Sequence, residues 1–334
     1  MIRKRVIDAL NHKTPDLTPW HIQMTAAFKE KVIAETGCLD PDEYFQNNMM
    51  RDRYYKSDII DNMRWHDLFG VTWEKSGDGG DIGLVVDEPL KDPDMSAYAF
   101  PQPDKLLIDQ LGTELEAEKR DIFRMFSMTY NFYERAWSLR GIEQLLMDMI
   151  LNESFVFELF EKILDYNLKV LDQALEYDFE GVYMGDDWGQ QKGLIMGPKL
   201  WAKFIKPGMA KMFEKIKSKG KYVLLHSCGD LSDILPDLVD IGLDAYNTVQ
   251  PEIYDLEKIK REYGKDLTFY GGISTQQFLP YASADEVRKL TRDMIAKMGD
   301  GGGYILSPTH SVPADVPVKN IIAMVETAQN AFGY

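Results

Sequence analysis

A closed α/β barrel of the (β/α)8 type is the architecture this sequence predicts. Three observations carry the prediction. Short apolar runs of strand length alternate with longer helical stretches along most of the chain. Eight such strand–helix units are counted in 334 residues, the number and length a closed barrel of parallel strands requires. The polar residues best suited to chemistry also cluster at the ends of the strands, where such barrels carry their sites.

In chain order, an amphipathic helix over residues 3–11 forms an N-terminal helical extension. The first strand is W-H-I-Q-M, entered from the proline-bounded loop T-P-D-L-T-P and ending in Gln23 and Met24. A helix follows from Ala26 to Thr36. Residues 42–61 read as mostly helical, with a second strand near Asp58. Gly70–Glu74 and Ile82–Asp87 alternate in hydrophobicity on either side of G-D-G-G-D, which predicts an inserted β-hairpin. A helix then spans 104–119 and the third strand 122–128.

Helices over 133–149 and 153–177 lead to a strand at Val182-Tyr183-Met184, which ends in G-D-D-W-G. The helix over 198–217 contains Pro207, which must kink or split it. The fifth strand, Tyr222–Leu225, ends in His226-Ser227-Cys228-Gly229. Strands over 245–249, 267–270 and 303–306 alternate with helices over 232–241, 256–263, 284–298 and 317–331. No G-x-G-x-x-G follows the first strand and no P-loop is present, so nothing favours a nucleotide-binding open sheet. The whole chain is expected to form a single barrel domain.

Composition narrows the function. With 38 Lys+Arg against 54 Asp+Glu the formal charge is −16, which argues against nucleic acid or an anionic membrane as partner. No run of about 18 apolar residues predicts a membrane span. The opening residues carry charge but no apolar core, so a secretory signal is not expected. Two cysteines, Cys38 and Cys228, make no disulfide framework and fit a reducing cytoplasm.

The strand ends hold Gln23, Met128, Asp186, Asp187, His226, Cys228, Asn247, Gln250 and His310. Side chains two apart on a strand point the same way, so His226 and Cys228 can face one ion together. His310, in the S-P-T-H loop of the last strand, completes three ligands of the kind a catalytic zinc uses, leaving a fourth position open. Asp186 or Asp187 is a candidate fourth ligand, supporting carboxylate or acid/base group. The plainer alternatives are a core histidine beside a buried thiol, helix-capping aspartates, and a lone histidine in the last loop.

The runs L-L-H-S-C-G-D-L-S-D-I-L-P-D-L-V-D-I-G-L-D-A-Y-N-T-V-Q, L-T-F-Y-G-G-I-S-T-Q and G-G-G-Y-I-L-S-P-T-H-S-V-P-A-D-V-P-V-K-N-I resemble the uroporphyrinogen decarboxylase superfamily. That superfamily has the (β/α)8 fold. It includes true decarboxylases and zinc-dependent methyltransferases that serve corrinoid proteins. Decarboxylases carry R-Q-A-G-R after the first strand, and this chain has W-H-I-Q-M-T there, without an arginine. Their strand-two aspartate has only Asp58 as a candidate here. G-D-D-W-G at 185–189 resembles their D-S-W-A-G, and T-H-S-V at 309–312 their G-H-G-I. The methyltransferase branch carries H-x-C on its fifth strand as two zinc ligands, which His226 and Cys228 match. Its third ligand is usually a cysteine, where this chain has His310.

The resemblance therefore implies methyl transfer between a small molecule (methoxy, methylamine or thiol compound) and a corrinoid protein, with Zn²⁺ on His226, Cys228 and His310. Gln23, Asn247 and Gln250 would orient the small molecule, with Asp187 beside them, and Met128 and Trp188 would wall it. The alternatives are a metal-independent decarboxylase using Asp186 or Asp187 with His310, and a non-catalytic small-molecule-binding barrel. The hairpin over 71–87 is a candidate lid or homodimer contact.

Overall fold

The computed structural model describes residues 1–75 and 83–331. Among them the strands are β1 (Met49–Tyr54), β2 (Ser57–Ile59), β3 (Arg64–Asp67), β4 (Thr72–Lys75), β5 (Gly83–Asp87), β6 (Phe123–Met128), β7 (Gly181–Gly185), β8 (Gly189–Gln190), β9 (Gly193–Leu194), β10 (Tyr222–His226), β11 (Ala245–Val249), β12 (Thr268–Ile273) and β13 (Tyr304–Pro308). Seven of them share one sheet in the order β1-β6-β7-β10-β11-β12-β13, with helices between successive strands. This is the α/β architecture of the (β/α)8 class. β2 to β5 form a separate antiparallel sheet. No described helix is long and apolar enough to cross a membrane.

Packing divides the chain into two compact units. One comprises Met1–Met50, Lys119–Arg124 and Asp244–Tyr334. Its β11, β12 and β13 pair in parallel, with Tyr246 opposite Phe269 and Gly271 opposite Leu306. All three strands are buried along their length, as parallel strands covered by helices must be. Helix Ala26–Thr36 starts where the Thr25 hydroxyl accepts from Phe28 N and stops where Gly37 turns left-handed at φ 71°. Helix Ala284–Met298 opens on a full capping box between Ser283 and Glu286.

The predicted first strand is present here only as isolated bridges, Trp20 to Leu306 and Met24 to Val312. Pro19 has no N–H to give a ladder, and side-chain amides supply part of the bonding instead. Ile22 N donates to Asn47 Oδ1 at 2.6 Å and Trp20 N to Asn48 Oδ1 at 3.2 Å. Backbone bonds from His21 N to Leu306 O and from Asn48 N to Trp20 O flank the segment on its two sides.

The second unit comprises Arg51–Glu118 and Met125–Leu243. Here β6, β7 and β10 pair in parallel, Phe126 and Val223 both lying opposite Val182. Helix Glu153–Ala174 buries Val156, Leu159, Phe160, Ile163, Val170 and Leu171 along one stripe. In the antiparallel sheet Trp65 faces Trp73 across β3 and β4. Asp67, at the end of β3, forms an ion pair with Arg135 at 2.6 Å, both side chains almost wholly buried.

Several expectations need correcting. Residues 42–61 are not mostly helical: a one-turn helix, Pro41–Tyr44, precedes β1 and β2. The second barrel strand is Met49–Tyr54, and Asp58 sits on the antiparallel β2 instead. The core of Met49–Tyr54, Arg51-Asp52-Arg53, is three consecutive charged residues with no hydrophobic alternation, so the pattern did not announce a strand. The helix expected over 133–149 breaks at Gly141, whose φ is 86°. The hairpin strands pair as predicted, but the G-D-G-G-D turn and Ile82 lie outside the described residues. Pro207 sits in the first turn of helix Lys206–Ser218, straight after a π-helical turn, Trp201–Ile205. That wide turn is how the chain accommodates a proline that cannot donate.

Candidate metal centre

In the second unit two loops zip together at the strand ends. Asp186 N donates to His226 O at 3.0 Å, Gly189 N to Cys228 O at 3.2 Å and Asp230 N to Gln190 O at 2.9 Å. A Cβ on Gly229 would stand 2.2 Å from the carbon of Gly189, and one on Gly189 would stand 2.6 Å from Cys228 O. Only glycine admits so close an approach of the two backbones, and Gly229 also has φ 85°. Gly229→Ala is expected to destabilise the protein by about 1–3 kcal/mol, read as a lowered midpoint of thermal unfolding. An unchanged midpoint would show that the two loops are free to separate.

This zipper sets the side chains. His226 Nε2 lies 3.5 Å from Cys228 Sγ, as the strand alternation requires of a pair sharing one face. Asp187 stands beside both. Its Oδ1 accepts from Cys228 N at 2.8 Å and lies 3.7 Å from His226 Nε2. Burial pushes the Cys228 thiol up, and the charges of Asp187 and Glu134 push it further. Without a cation this environment keeps the sulfur protonated, whereas a divalent metal would reverse the balance and take a thiolate. An imidazole nitrogen, a thiol sulfur and negative charge around them suit zinc.

Asp186, expected among the acid/base groups, is instead wholly buried. Its carboxylate accepts from Phe132, Tyr133 and Glu134 N at 2.8–3.1 Å and from Trp188 Nε1 at 2.5 Å. It thereby supplies the first amides of helix Tyr133–Arg140 with an acceptor. Burial pushes its pKa up to about 6 against the pull of these donors. Trp188, expected as a wall for the small molecule, has no exposed surface and packs edge-on against Trp201 at 5.5 Å. Met128 is buried and lines, with Thr129, Tyr130 and Tyr166, a small cleft whose lining does not include His226, Cys228 or Asp187.

In the first unit Gln23 Nε2 donates to Ser311 Oγ at 2.6 Å, beside His310 in sequence. His310 is exposed just past the end of β13. Asn247 is buried on β11 and donates to Tyr270 O at 3.2 Å, and Gln250 is half-buried just beyond the same strand.

Four residues near the pair escaped the sequence reading. Half-buried Glu134 lies in the first turn of helix Tyr133–Arg140. Burial, then the neighbouring Asp187 and Asp186, hold its carboxyl well above the usual range. Tyr183 stacks toward His226 with ring centroids 6.4 Å apart, and the Arg51 guanidinium lies 4.5 Å over the Tyr183 ring. Arg53 follows two positions on. Arg51-Asp52-Arg53 is a run of three charges with no hydrophobic alternation, so the sequence offered no signal for the last two.

Comparison with known proteins fits this geometry. A profile of the family described as Uroporphyrinogen decarboxylase (URO-D) matches residues 135–331. Among curated proteins, the Methylcobamide:CoM methyltransferase MtaA of Methanosarcina barkeri is 23% identical over 197 residues, covering 56% of this chain and 55% of that protein. A uroporphyrinogen decarboxylase of Coxiella burnetii is 21% identical over 186 residues, covering 54% of this chain and 49% of that one. The chain thus spans about half the length of the curated relatives it matches. A solved methyltransferase from Methanosarcina mazei superposes with a TM-score of 0.75 at 16% identity, covering 98% of both chains, and so shares the fold. With the profile matching more than half of its length, the chain belongs to the uroporphyrinogen decarboxylase (URO-D) family.

Proposed function

We propose that this protein is a zinc-dependent methyltransferase that moves a methyl group between a small molecule and a corrinoid protein. The observation that carries the reading is the His226–Cys228 pair, 3.5 Å apart at the end of β10 with Asp187 against both. The proposed ligands are His226 and Cys228, with His310 as the third, giving two imidazole nitrogens and one thiolate. When bound, zinc would supply Lewis acidity toward the heteroatom that carries or accepts the methyl group. The similarity to a methylcobamide-using methyltransferase supports a corrinoid protein as the other participant.

The chain's own residues do the rest. Asp187 accepts from the Cys228 backbone and lies beside His226 Nε2, the nitrogen that faces Cys228 Sγ, and is proposed as a fourth ligand or supporting carboxylate on the ion's side of the pair. Asp186 holds the helix that carries Glu134, whose carboxyl is raised above the usual range by burial and by Asp187, and Glu134 is proposed to give or take a proton as the small molecule changes charge. Gln23, Asn247 and Gln250 are proposed to orient the small molecule.

The test is a transfer assay with zinc-loaded protein, methylcobalamin and a small thiol, followed by the spectral change from methyl-cobalt(III) to cobalt(I). The methyl group passes to sulfur and the electron pair of the carbon–cobalt bond stays on cobalt. Zinc-dependent loss of the methyl-cobalt spectrum is expected. Decarboxylation of uroporphyrinogen by metal-free protein, with no methyl transfer, would overturn the reading. His310→Ala is expected to lower zinc affinity by at least about tenfold, measured by competition with a chromophoric chelator. Unchanged affinity would remove His310 from the ligand set.

A further inference from the structure

The two loops that zip together past β7 and β10 do so out of step. Parallel strands space their backbone bonds evenly, two residues apart on both chains. Here the acceptors His226 O and Cys228 O are two residues apart, but the donors that meet them, Asp186 N and Gly189 N, are three apart. One extra residue is therefore taken up at Asp187-Trp188, which makes a β-bulge. A bulge leaves its extra residue out of the ladder and re-aims a side chain.

Side chains take up both N–H groups of this bulge. The Glu134 carboxyl accepts from Asp187 N, and the Ser227 hydroxyl accepts from Trp188 N at 3.0 Å. The second bond is wholly buried, since neither Ser227 nor Trp188 has exposed surface. The Trp188 indole is fixed as well, donating to Asp186 and packing against Trp201. Asp187 is not fixed by burial. Its side chain is 39% exposed, so water can take its oxygens in place of Cys228 N. What aims the carboxylate at the pair is the backbone of the bulge. Ser227 lies between His226 and Cys228 in sequence, and alternation turns its side chain to the opposite face, onto the bulge. It is thus placed to act on the pair through the loop and not as a ligand.

We propose that Ser227 is a positioning residue: its hydroxyl clamps the bulge by accepting from Trp188 N, and the clamped bulge aims the Asp187 carboxylate at His226 and Cys228. The proposal rests on the reading of His226 and Cys228 as the metal pair. It gives the middle residue of H-S-C a task in the site, and it explains how a carboxylate open to water stays on the ion's side of the two ligands.

The experiment is a double-mutant cycle on Ser227→Ala and Asp187→Ala with two readouts. Zinc affinity is measured by competition with a chromophoric chelator, and exchange of the Cys228 amide hydrogen by NMR on metal-free protein. Ser227→Ala is expected to weaken zinc binding about tenfold. It should also speed the exchange by at least about tenfold, because the Cys228 N–H loses its acceptor when Asp187 turns to water. In the Asp187→Ala background the same serine substitution should change neither quantity by more than about twofold. A serine that only stabilised the fold would shift both quantities by the same factor in both backgrounds. Wild-type protein that holds no zinc, with an exchange rate that still responds to Ser227 only when Asp187 is present, would sink the metal reading and support the positioning role. Unchanged Cys228 exchange in Ser227→Ala, or equal effects of that substitution with and without Asp187, would overturn the proposal.

Discussion

Cys228→Ala protein purified without chelator is expected to contain less than about a tenth of the zinc held by the wild type, and to transfer no methyl group. The magnitude follows from the ligand's place in the site. Loss of a group that merely orients a metal ligand costs about 10–100-fold in affinity, and loss of a ligand costs more. Cys228 is also the one thiol at the strand ends, so the site would fall back on imidazole and carboxylate donors that hold zinc less selectively. The Cys228 main chain keeps its bonds to Asp187 and Gly189 whatever the side chain, so the fold should survive and the midpoint of unfolding of the metal-free proteins should be nearly equal. Wild-type zinc in the variant would show that the sulfur is a buried thiol and nothing more.

The second large effect is structural. Asp67→Ala is expected to cost about 3–5 kcal/mol, because it leaves the Arg135 cation buried without its counter-charge. The carboxylate also accepts from Trp73 Nε1 at 3.1 Å and from Phe69 and Val71 N at 2.9 and 3.1 Å, so the turn after β3 loses its acceptor at the same time. Arg135 lies on the helix that bears Glu134, with its guanidinium 4.1 Å from the Phe69 ring. The pair thus ties the antiparallel sheet to the helix whose first amides end on Asp186. Urea unfolding checks the prediction, and a double variant, Asp67→Leu with Arg135→Met, should recover most of the loss because no charge is then stranded. If the double variant is no more stable than Asp67→Ala, the cost lies in the turn bonds and not in the stranded charge.

Much of the architecture was legible because it rests on periodicity and on strong local signals. The helices Ala26–Thr36, Leu256–Tyr263 and Ala284–Met298 and the strand Ala245–Val249 begin and end where caps, glycines and apolar runs said they would. The segment leading into β1 was not legible. Its strand is short and carries Arg51, Asp52 and Arg53 in a row, with no hydrophobic alternation, so tertiary pairing makes it a strand without a local signal. The first barrel segment was overread in the other direction: W-H-I-Q-M is placed by Asn47 and Asn48 side chains more than by a ladder, and distant side-chain amides leave no local trace.

Around the site, the placement of His226 and Cys228 followed from two-residue alternation alone. What alternation cannot show is which carboxylate of an adjacent pair turns inward to the helix amides and which toward the thiol. Asp186 takes the first role and Asp187 the second because the loop zips onto Cys228 and Gly229. Glu134 and the Tyr183–Arg51 stack depend on packing between elements far apart in sequence, so no motif announces them.

The central claim is tested most directly by metal analysis combined with X-ray absorption on wild-type protein purified without chelator. The account predicts about one zinc per chain, with one sulfur neighbour at about 2.3 Å and two imidazole nitrogens at about 2.0–2.1 Å. Metal-free protein, or zinc with no sulfur neighbour, would contradict it.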